Sequence, residues 1–214
     1  MTPALTTRYE FERLPLEPIP AGTNILLSGP SINGTRQLLL ELLADNDGND
    51  GVMLVSTDDS AEATAKAFED AGGVFDTSRT CVLDCTKDGT SGDGPIREVS
   101  SPADLTGIGM EFSSLYESLL GREHPRARIG LDSVSTLLMF AEDFRAVFRF
   151  LHTLTSRIRT GEGLGVATID PEATDQKALG TISQAFDARF DVREGGEFRV
   201  RGLDDQPDGW LSVD

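Results

Sequence analysis

Short apolar runs alternate with longer amphipathic stretches along the 214 residues of the chain. Five runs are apolar throughout, which is typical of strands buried on both faces of a parallel sheet. These predicted strands are Asn24–Ser28, Val52–Thr57, Cys81–Asp84, Arg128–Asp132 and Gly165–Ile169. Three shorter, more polar runs follow, and we expect them to form antiparallel edge strands. They are Phe190–Arg193, Phe198–Leu203 and Trp210–Val213.

Two amphipathic stretches between these strands predict helices. Ser101–Asp104 offers a cap residue, a proline at the first helical position and an acid at the reciprocal position, so a helix is expected to begin there. Its apolar stripe is Leu105, Ile108, Phe112, Leu115 and Leu119. A second helix, at about Glu142–Thr160, can end at Gly161. Its inward stripe is Phe144, Val147, Phe148, Leu151, Leu154 and Ile158.

Strands that alternate with amphipathic helices predict an α/β fold with a doubly wound, mostly parallel sheet flanked by helices. The polar stretches Asp45–Gly51 and Lys87–Ser100 are expected to be surface loops, and neither is long enough to require a domain boundary. We therefore expect a single domain over residues 1–214, in which residues 1–21 form an N-terminal lead-in.

Acidic residues outnumber basic ones by 36 to 19, which gives a formal net charge of −17. Abundant aspartate with scarce lysine suits a cytoplasm of very high salt, where the Debye length shrinks to roughly 3 Å at 1 M. A strongly negative surface also makes nucleic acid an unfavourable partner. No stretch approaches the roughly 20 apolar residues of a membrane span, and no secretory signal is evident, so we expect a soluble cytoplasmic protein without membrane contact.

The two cysteines, Cys81 and Cys85, share one face of a predicted strand. Only two histidines, His124 and His152, accompany them, and this set does not suit a zinc site. Buried, reduced thiols are the favoured interpretation.

The motif that should carry chemistry lies between a predicted strand and a helix, where Gly29 opens a loop and Gly34 closes it. Such glycines let backbone N–H groups surround a phosphate, and the helix N-terminus adds partial positive charge. The spacing matches the P-loop pattern G-x-x-x-x-G-K-[ST]. The expected nucleotide-binding residues are Gly29, Pro30, Ser31, Ile32, Asn33, Gly34, Thr35 and Arg36.

The last two positions of this pattern are altered. Thr35 stands at the lysine position and Arg36 at the Ser/Thr position. Because adjacent helical residues point about 100° apart, Arg36 does not take over the direction of the lysine. The hydroxyl that normally holds Mg²⁺ is also lost from its usual place.

With these segments the chain resembles the RecA/KaiC superfamily, specifically the small KaiC-like proteins of halophilic archaea, from about Gly22 to Val213. The resemblance rests on the altered loop and on VMLVSTDDS, ARIGLDSVSTLL, LGVATID and EFRVRGLDD, which follow it in the family's order. It implies a RecA-like fold with ATP or ADP and Mg²⁺ as the family's ligands.

The resemblance also assigns roles to individual residues. Asp58 and Asp59 match the family's catalytic acidic pair, one of which orients the attacking water. Asp132, followed by Ser133, matches the acid that holds Mg²⁺ through water. Thr168 and Asp170 match a strand end near the γ-phosphate. Basic residues of the late strand reach a neighbouring subunit's nucleotide in the family, and Arg199 and Arg201 match these.

The residues themselves leave simpler alternatives open. An aspartate at a strand end is often a turn or helix cap. Arg199 and Arg201 alternate onto one face of a strand and could pair with surface acids instead. Four arginines of the second helix suit an exposed face with ion pairs, or alternatively a docking surface for an acidic partner. They are Arg145, Arg149, Arg157 and Arg159.

The favoured function is a non-catalytic or very weakly catalytic module that regulates or signals by binding a protein partner or itself, either with retained nucleotide binding or with no cofactor. The alternative is an active ATPase, working in an oligomer, whose missing charge comes from Arg36, Arg199 or Arg201. A DNA-binding recombinase is disfavoured, because we find no basic loop with interleaved aromatic residues.

Overall fold

The structure is a computed structural model that describes residues 7–30, 34–44, 50–86, 94–121, 124 and 126–213. Within these ranges the strands are β1 (Arg8–Tyr9), β2 (Ile19–Pro20), β3 (Asn24–Ser28), β4 (Gly51–Ser56), β5 (Thr80–Asp84), β6 (Ile96–Glu98), β7 (Ala127–Asp132), β8 (Leu164–Ile169), β9 (Ala188–Val192) and β10 (Phe198–Arg201). The helices are α1 (Thr35–Ala44), α2 (Ala61–Asp70), α3 (Leu105–Leu120), α4 (Val134–Phe140), α5 (Phe144–Thr160) and α6 (Gln176–Ser183).

An eight-stranded sheet with the order β10-β9-β3-β8-β7-β4-β5-β6 forms the centre of the molecule. All neighbouring strands in it run parallel except β9 and β10. Apolar side chains cover both faces of the sheet. One core packs beneath α3, α4, α5 and α6, and the other beneath α1, α2 and the lead-in. The predicted doubly wound α/β fold is therefore confirmed.

The five predicted parallel strands all form, and Asn24–Ser28 has the predicted bounds. At the C-terminus β10 pairs antiparallel with β9, as predicted. However, β9 also pairs in parallel with β3 and is thus an internal strand. The predicted strand Trp210–Val213 contributes one bridge, between Leu211 and Phe198.

The helix predicted after Ser101 begins later than expected. Asp104 is its cap, because the carboxylate accepts a hydrogen bond from the N–H of Gly107 at 2.8 Å. Ser101 instead accepts from Ala103 N–H in the preceding turn. The second predicted helix is confirmed as α5, with Gly161 at its C-cap.

The predicted loop over Lys87–Ser100 contains a strand, because β6 adds to the sheet beside β5. Residues 45–49 and 87–93 of the two predicted loops lie outside the described residues. Cys81 and Cys85 are buried free thiols, as predicted. Desolvation, with a smaller contribution from the charge of Asp84, raises the pKa of Cys85 to about 12.

The lead-in is anchored by a buried ion cluster at the amino end of β7. Asp50 accepts hydrogen bonds from Arg126 at 3.1 Å and from Arg128 at 3.0 Å. Both guanidinium groups lie over the ring of Tyr9, at 4.6 and 5.2 Å from its centre. The Tyr9 hydroxyl donates to the carbonyl of Glu162. These contacts thus join the lead-in to the amino ends of the strands, on the side of the sheet opposite their carboxyl ends.

In the part of the chain that the structure describes, no helix is long and apolar enough to cross a membrane.

Candidate nucleotide site

A cavity of about 200 Å³ opens at the carboxyl ends of β3, β7 and β8. This is the edge at which parallel α/β sheets bind their ligands. The cavity brings together most of the residues that the sequence singled out. Its lining is Gly29, Thr35, Arg36, Asp58, Asp59, Asp132, Ser133, Thr168, Ile169 and Asp170.

The loop after β3 has the tight geometry for which its glycines were predicted. A Cβ on Gly29 would lie 2.6 Å from the carbonyl oxygen of Val192, so a larger residue would clash with backbone. Gly34 has φ +97°, and a Cβ on it would lie 2.7 Å from the Cα of Gly196 in the β9–β10 turn. Of the predicted loop residues, Ser31, Ile32 and Asn33 lie outside the described residues.

Thr35, at the lysine position, starts α1 and is buried. Its hydroxyl finds no hydrogen-bond partner among the described residues. A neutral, buried hydroxyl therefore stands where the P-loop pattern has a cation that reaches the phosphates.

Arg36 points across the cavity toward the acidic residues. Its Nε donates to the Oδ2 of Asp132 at 2.6 Å, and its second guanidinium nitrogen lies 2.7 Å from the Oδ2 of Asp59. A planar guanidinium suits this two-carboxylate contact, because its donors point in fixed directions. The arginine therefore joins α1 to the ends of β4 and β7.

Both carboxylate oxygens of Asp132 are engaged. Oδ2 accepts from Arg36, and Oδ1 accepts from the hydroxyl of Thr168 at 2.9 Å. These bonds fix the side chain between α1 and β8. A metal ion, or the water that would bridge to one, competes for the same oxygens.

Asp58 lies at the mouth of the cavity and accepts a hydrogen bond from the Thr136 hydroxyl at 2.6 Å. Partial desolvation raises the pKa of Asp58, and the negative charges of Asp132 and Asp59 add to the rise. The hydrogen bond from Thr136 and the charge of Arg36 act in the opposite direction. Desolvation and the neighbouring carboxylates thus outweigh the hydrogen bond from Thr136 and the charge of Arg36.

Two threonines in this region were not singled out from the sequence. Thr57 donates to the carbonyl oxygen of Asp132 at 2.9 Å and accepts from Ser133 N–H at 2.7 Å. Thr136 bonds to Asp58, and its N–H donates to the Ser133 hydroxyl, which caps α4. A serine followed three residues later by a threonine, directly after a strand, is a cap signal that could have located Thr136.

Arg199 and Arg201 do not line this cavity. They lie on β10, and both bond to Asp191 of β9, at 3.4 and 2.5 Å. Burial would raise the pKa of Asp191, but the hydrogen bond from Arg201 and the charge of Arg189 outweigh it and hold the pKa below its usual value. The structure therefore shows the simpler alternative, in which Arg199 and Arg201 pair with an acid. A role in a neighbouring subunit's site stays a prediction.

The charge of the cavity does not suit a nucleotide with Mg²⁺. Four carboxylates, of Asp58, Asp59, Asp132 and Asp170, face one guanidinium, a formal charge of −3. Among the described residues, no group of three or more His, Cys, Asp or Glu side chains is placed to hold a metal ion by itself. Mg²⁺ beside a nucleotide needs only one or two carboxylates, but both oxygens of Asp132 are engaged by Arg36 and Thr168. The residues present therefore do not fit Mg²⁺, and the acidic lining would repel a polyphosphate.

The fold is a RecA-like α/β fold with a mostly parallel sheet. The chain belongs to the family of unknown function DUF7504, whose profile matches residues 22–192. Its fold is similar to that of a KaiC-like protein from the hyperthermophilic archaeon Pyrococcus horikoshii OT3, with a TM-score of 0.68 and 12% identity. The match covers 96% of this chain and 92% of the other. No curated protein shows significant sequence similarity to the chain.

Proposed function

We propose that this chain is a non-catalytic or very weakly catalytic RecA/KaiC-like module that acts as a regulatory or signalling protein by binding a partner. The observation that carries the proposal is the contact of Arg36 with Asp59 and Asp132. The guanidinium of Arg36 is engaged by Asp59 and Asp132, the two acids that the family resemblance assigns to orienting water and holding Mg²⁺.

Phosphoryl transfer depends on positioning and on neutralising the charge of the transferred group. Thr35 brings no charge to this task, and the guanidinium of Arg36 is held by carboxylates. A triphosphate would therefore meet an acidic cavity rather than a basic one. Loss of this stabilisation is expected to slow hydrolysis by several orders of magnitude.

The fold is retained although this chemistry is weakened. RecA-like folds serve many functions, so a retained fold is compatible with a binding role. In one form of this proposal the chain still binds nucleotide weakly. The buried, unpartnered hydroxyl of Thr35 and the backbone of the loop would make the contacts. A second form of this proposal is self-association through Arg199 and Arg201. In either form we propose a cytoplasmic protein.

The test is calorimetric titration of Mg·ATP and Mg·ADP into the protein in multimolar KCl, together with phosphate release over time. We expect weak or no binding and no turnover above background. The matched variants are Asp132→Asn in the cavity and Asp70→Asn, which changes an exposed aspartate on α2 outside it.

Magnesium-dependent turnover that is lost in Asp132→Asn but kept in Asp70→Asn would overturn the proposal. It would instead establish the alternative, an active ATPase whose loop cation has been rearranged. Tight binding without turnover would retain the proposal in its nucleotide-binding form.

A further inference from the structure

A groove of about 360 Å³, lined by both apolar and polar side chains, lies beside the cavity, between the end of α4, the start of α5 and the first turn of α6. We call it the α4–α6 groove. Its walls include Leu138, Met139, Phe144, Thr174, Asp175 and Ala178. No residue of this groove has a role in the proposed function.

One large apolar side chain of the groove lining is strongly exposed. Met139 is 74% exposed, and Phe140, the next residue of α4, is 52% exposed outside the lining. Leu138 and Phe144 are partly buried against the core behind them. Isolated exposed apolar residues are ordinary, but adjacent ones beside a groove mark an interaction site. Methionine and phenylalanine are also enriched at protein interfaces.

The segments that carry the walls of the groove are acidic, and we call their acids the acidic rim. Segments 134–144 and 170–178 contain five acids and one base, a formal charge of −4. Asp175 lines the groove itself, whereas Asp170 lines the neighbouring cavity. Asp143, Asp170 and Asp175 accept hydrogen bonds from backbone N–H groups of the following turns. Apolar side chains beside an acidic rim are complementary to an apolar segment with basic flanks.

The groove and the cavity share structural elements. The Ser135 hydroxyl accepts from the N–H of Asp170 at 2.9 Å and lies 3.3 Å from the Thr174 hydroxyl. The helix that carries Met139 begins directly after Asp132 and Ser133. An occupant of the groove would therefore contact elements that position two of the cavity's acids.

We propose that the α4–α6 groove binds a segment of a protein partner that inserts large apolar side chains beside Met139 and places Lys or Arg against the acidic rim. The proposal rests on the proposed function for the premise that the chain works by binding a partner. A second copy of the chain is the weaker occupant, because its net charge of −17 would meet an acidic rim.

The test uses two synthetic amphipathic peptides with the same Leu and Phe face, one flanked by arginines and the other by glutamates. Binding is measured by fluorescence anisotropy at the lowest KCl concentration at which circular dichroism shows the protein folded, because salt screens the charged flanks. The groove variant is Met139→Glu. The matched control is Met110→Glu, because Met110 is 68% exposed on α3 and does not line the groove.

We expect the arginine-flanked peptide to bind the wild-type protein and the Met110→Glu control equally. Binding to Met139→Glu should weaken at least about tenfold, as for the loss of an interface anchor. The glutamate-flanked peptide should bind at least about tenfold more weakly to all three proteins.

Equal binding to Met139→Glu and Met110→Glu would overturn the proposal, because attraction to the acidic surface alone would then explain it. Failure of the arginine-flanked peptide to bind would also overturn it. Sedimentation that shows a wild-type oligomer and a monomeric Met139→Glu variant would replace the partner with a second copy. None of these outcomes depends on ATP hydrolysis, so failure here and failure of the proposed function are distinguishable.

Discussion

Two arginine–aspartate clusters lie at opposite ends of the same sheet, and they differ in burial and surroundings. In the Asp50–Arg128 cluster the side chains are 1% and 3% exposed. In the Arg36–Asp132 cluster they are 30% and 15% exposed. The first has two arginines around one acid, whereas the second has one arginine among four acids.

The difference indicates what each cluster does. Arg128 also donates to the carbonyls of Leu42 and Glu10, so its charge is used to join the lead-in and α1 to β7. Arg36 contacts carboxylates at the edge where parallel α/β sheets bind ligands, so its charge offsets part of the negative charge of a cavity. The same ion pair thus stabilises the fold in one place and changes the chemistry of a site in the other.

The largest effect is expected at the buried cluster. Asp50→Asn deprives the buried guanidinium of Arg128 of its carboxylate, which should lower the free energy of unfolding by about 3–5 kcal/mol. The measurement is urea unfolding followed by circular dichroism. Asp70→Asn is the control, because Asp70 forms an exposed pair with Lys66 and should change stability by less than about 1 kcal/mol. Equal losses in both variants would remove the distinction between the clusters.

The second effect is expected at Arg36. Arg36→Met frees the Oδ2 oxygens of Asp59 and Asp132, so Mg²⁺ should stabilise the variant, by up to about 2.7 kcal/mol at a hundredfold excess over its Kd. The wild-type protein should show no such gain. Thermal unfolding with and without Mg²⁺ measures this, and Arg149→Met on the exposed face of α5 is the control. A gain of the same size in the wild-type protein would show that Arg36 does not exclude the ion.

The smallest effect is expected at Asp58, whose pKa is raised in the folded state. Above that pKa the ionised side chain opposes folding, and as the pH falls the folded protein gains stability by taking up a proton. Asp58→Asn should therefore be more stable at neutral pH, by at most about 0.5 kcal/mol because solvent screens the site. Urea unfolding at several pH values should show the difference shrink toward acidic pH. A constant difference would contradict this origin.

The sequence was sufficient for the elements with strong local signals. Continuous apolar runs predicted the parallel strands, and the stripe from Val147 to Ile158 predicted α5. The cap of α3 was misplaced, because Ser101 and Asp104 are both good caps and only tertiary packing chooses between them. The strand β6 was missed, since its three residues are stabilised by pairing with β5 rather than by their own pattern.

The sequence predicted that several acids would lie near the loop, but it did not predict their contacts, and Arg199 and Arg201 lie elsewhere. Asp58, Asp59 and Asp132 follow buried strands, so their meeting at one sheet edge could be expected. The contact between Arg36 and Asp132 spans 96 residues and depends on the strand order. Spacing indicated that Arg36 would not replace the lysine, but it did not indicate which acid the arginine would meet.

The close approach of Gly34 to Gly196 has a consequence for engineering. The loop after β3 and the β9–β10 turn are separated by about three quarters of the chain, yet the turn leaves no room for a Cβ on Gly34. A phosphate-binding loop transplanted here would fit against the same turn as long as it keeps glycine at this position, as the P-loop pattern does. The constraint runs in one direction, because a Cβ on Gly196 would meet no atom within 4 Å and position 196 is limited by its positive φ alone.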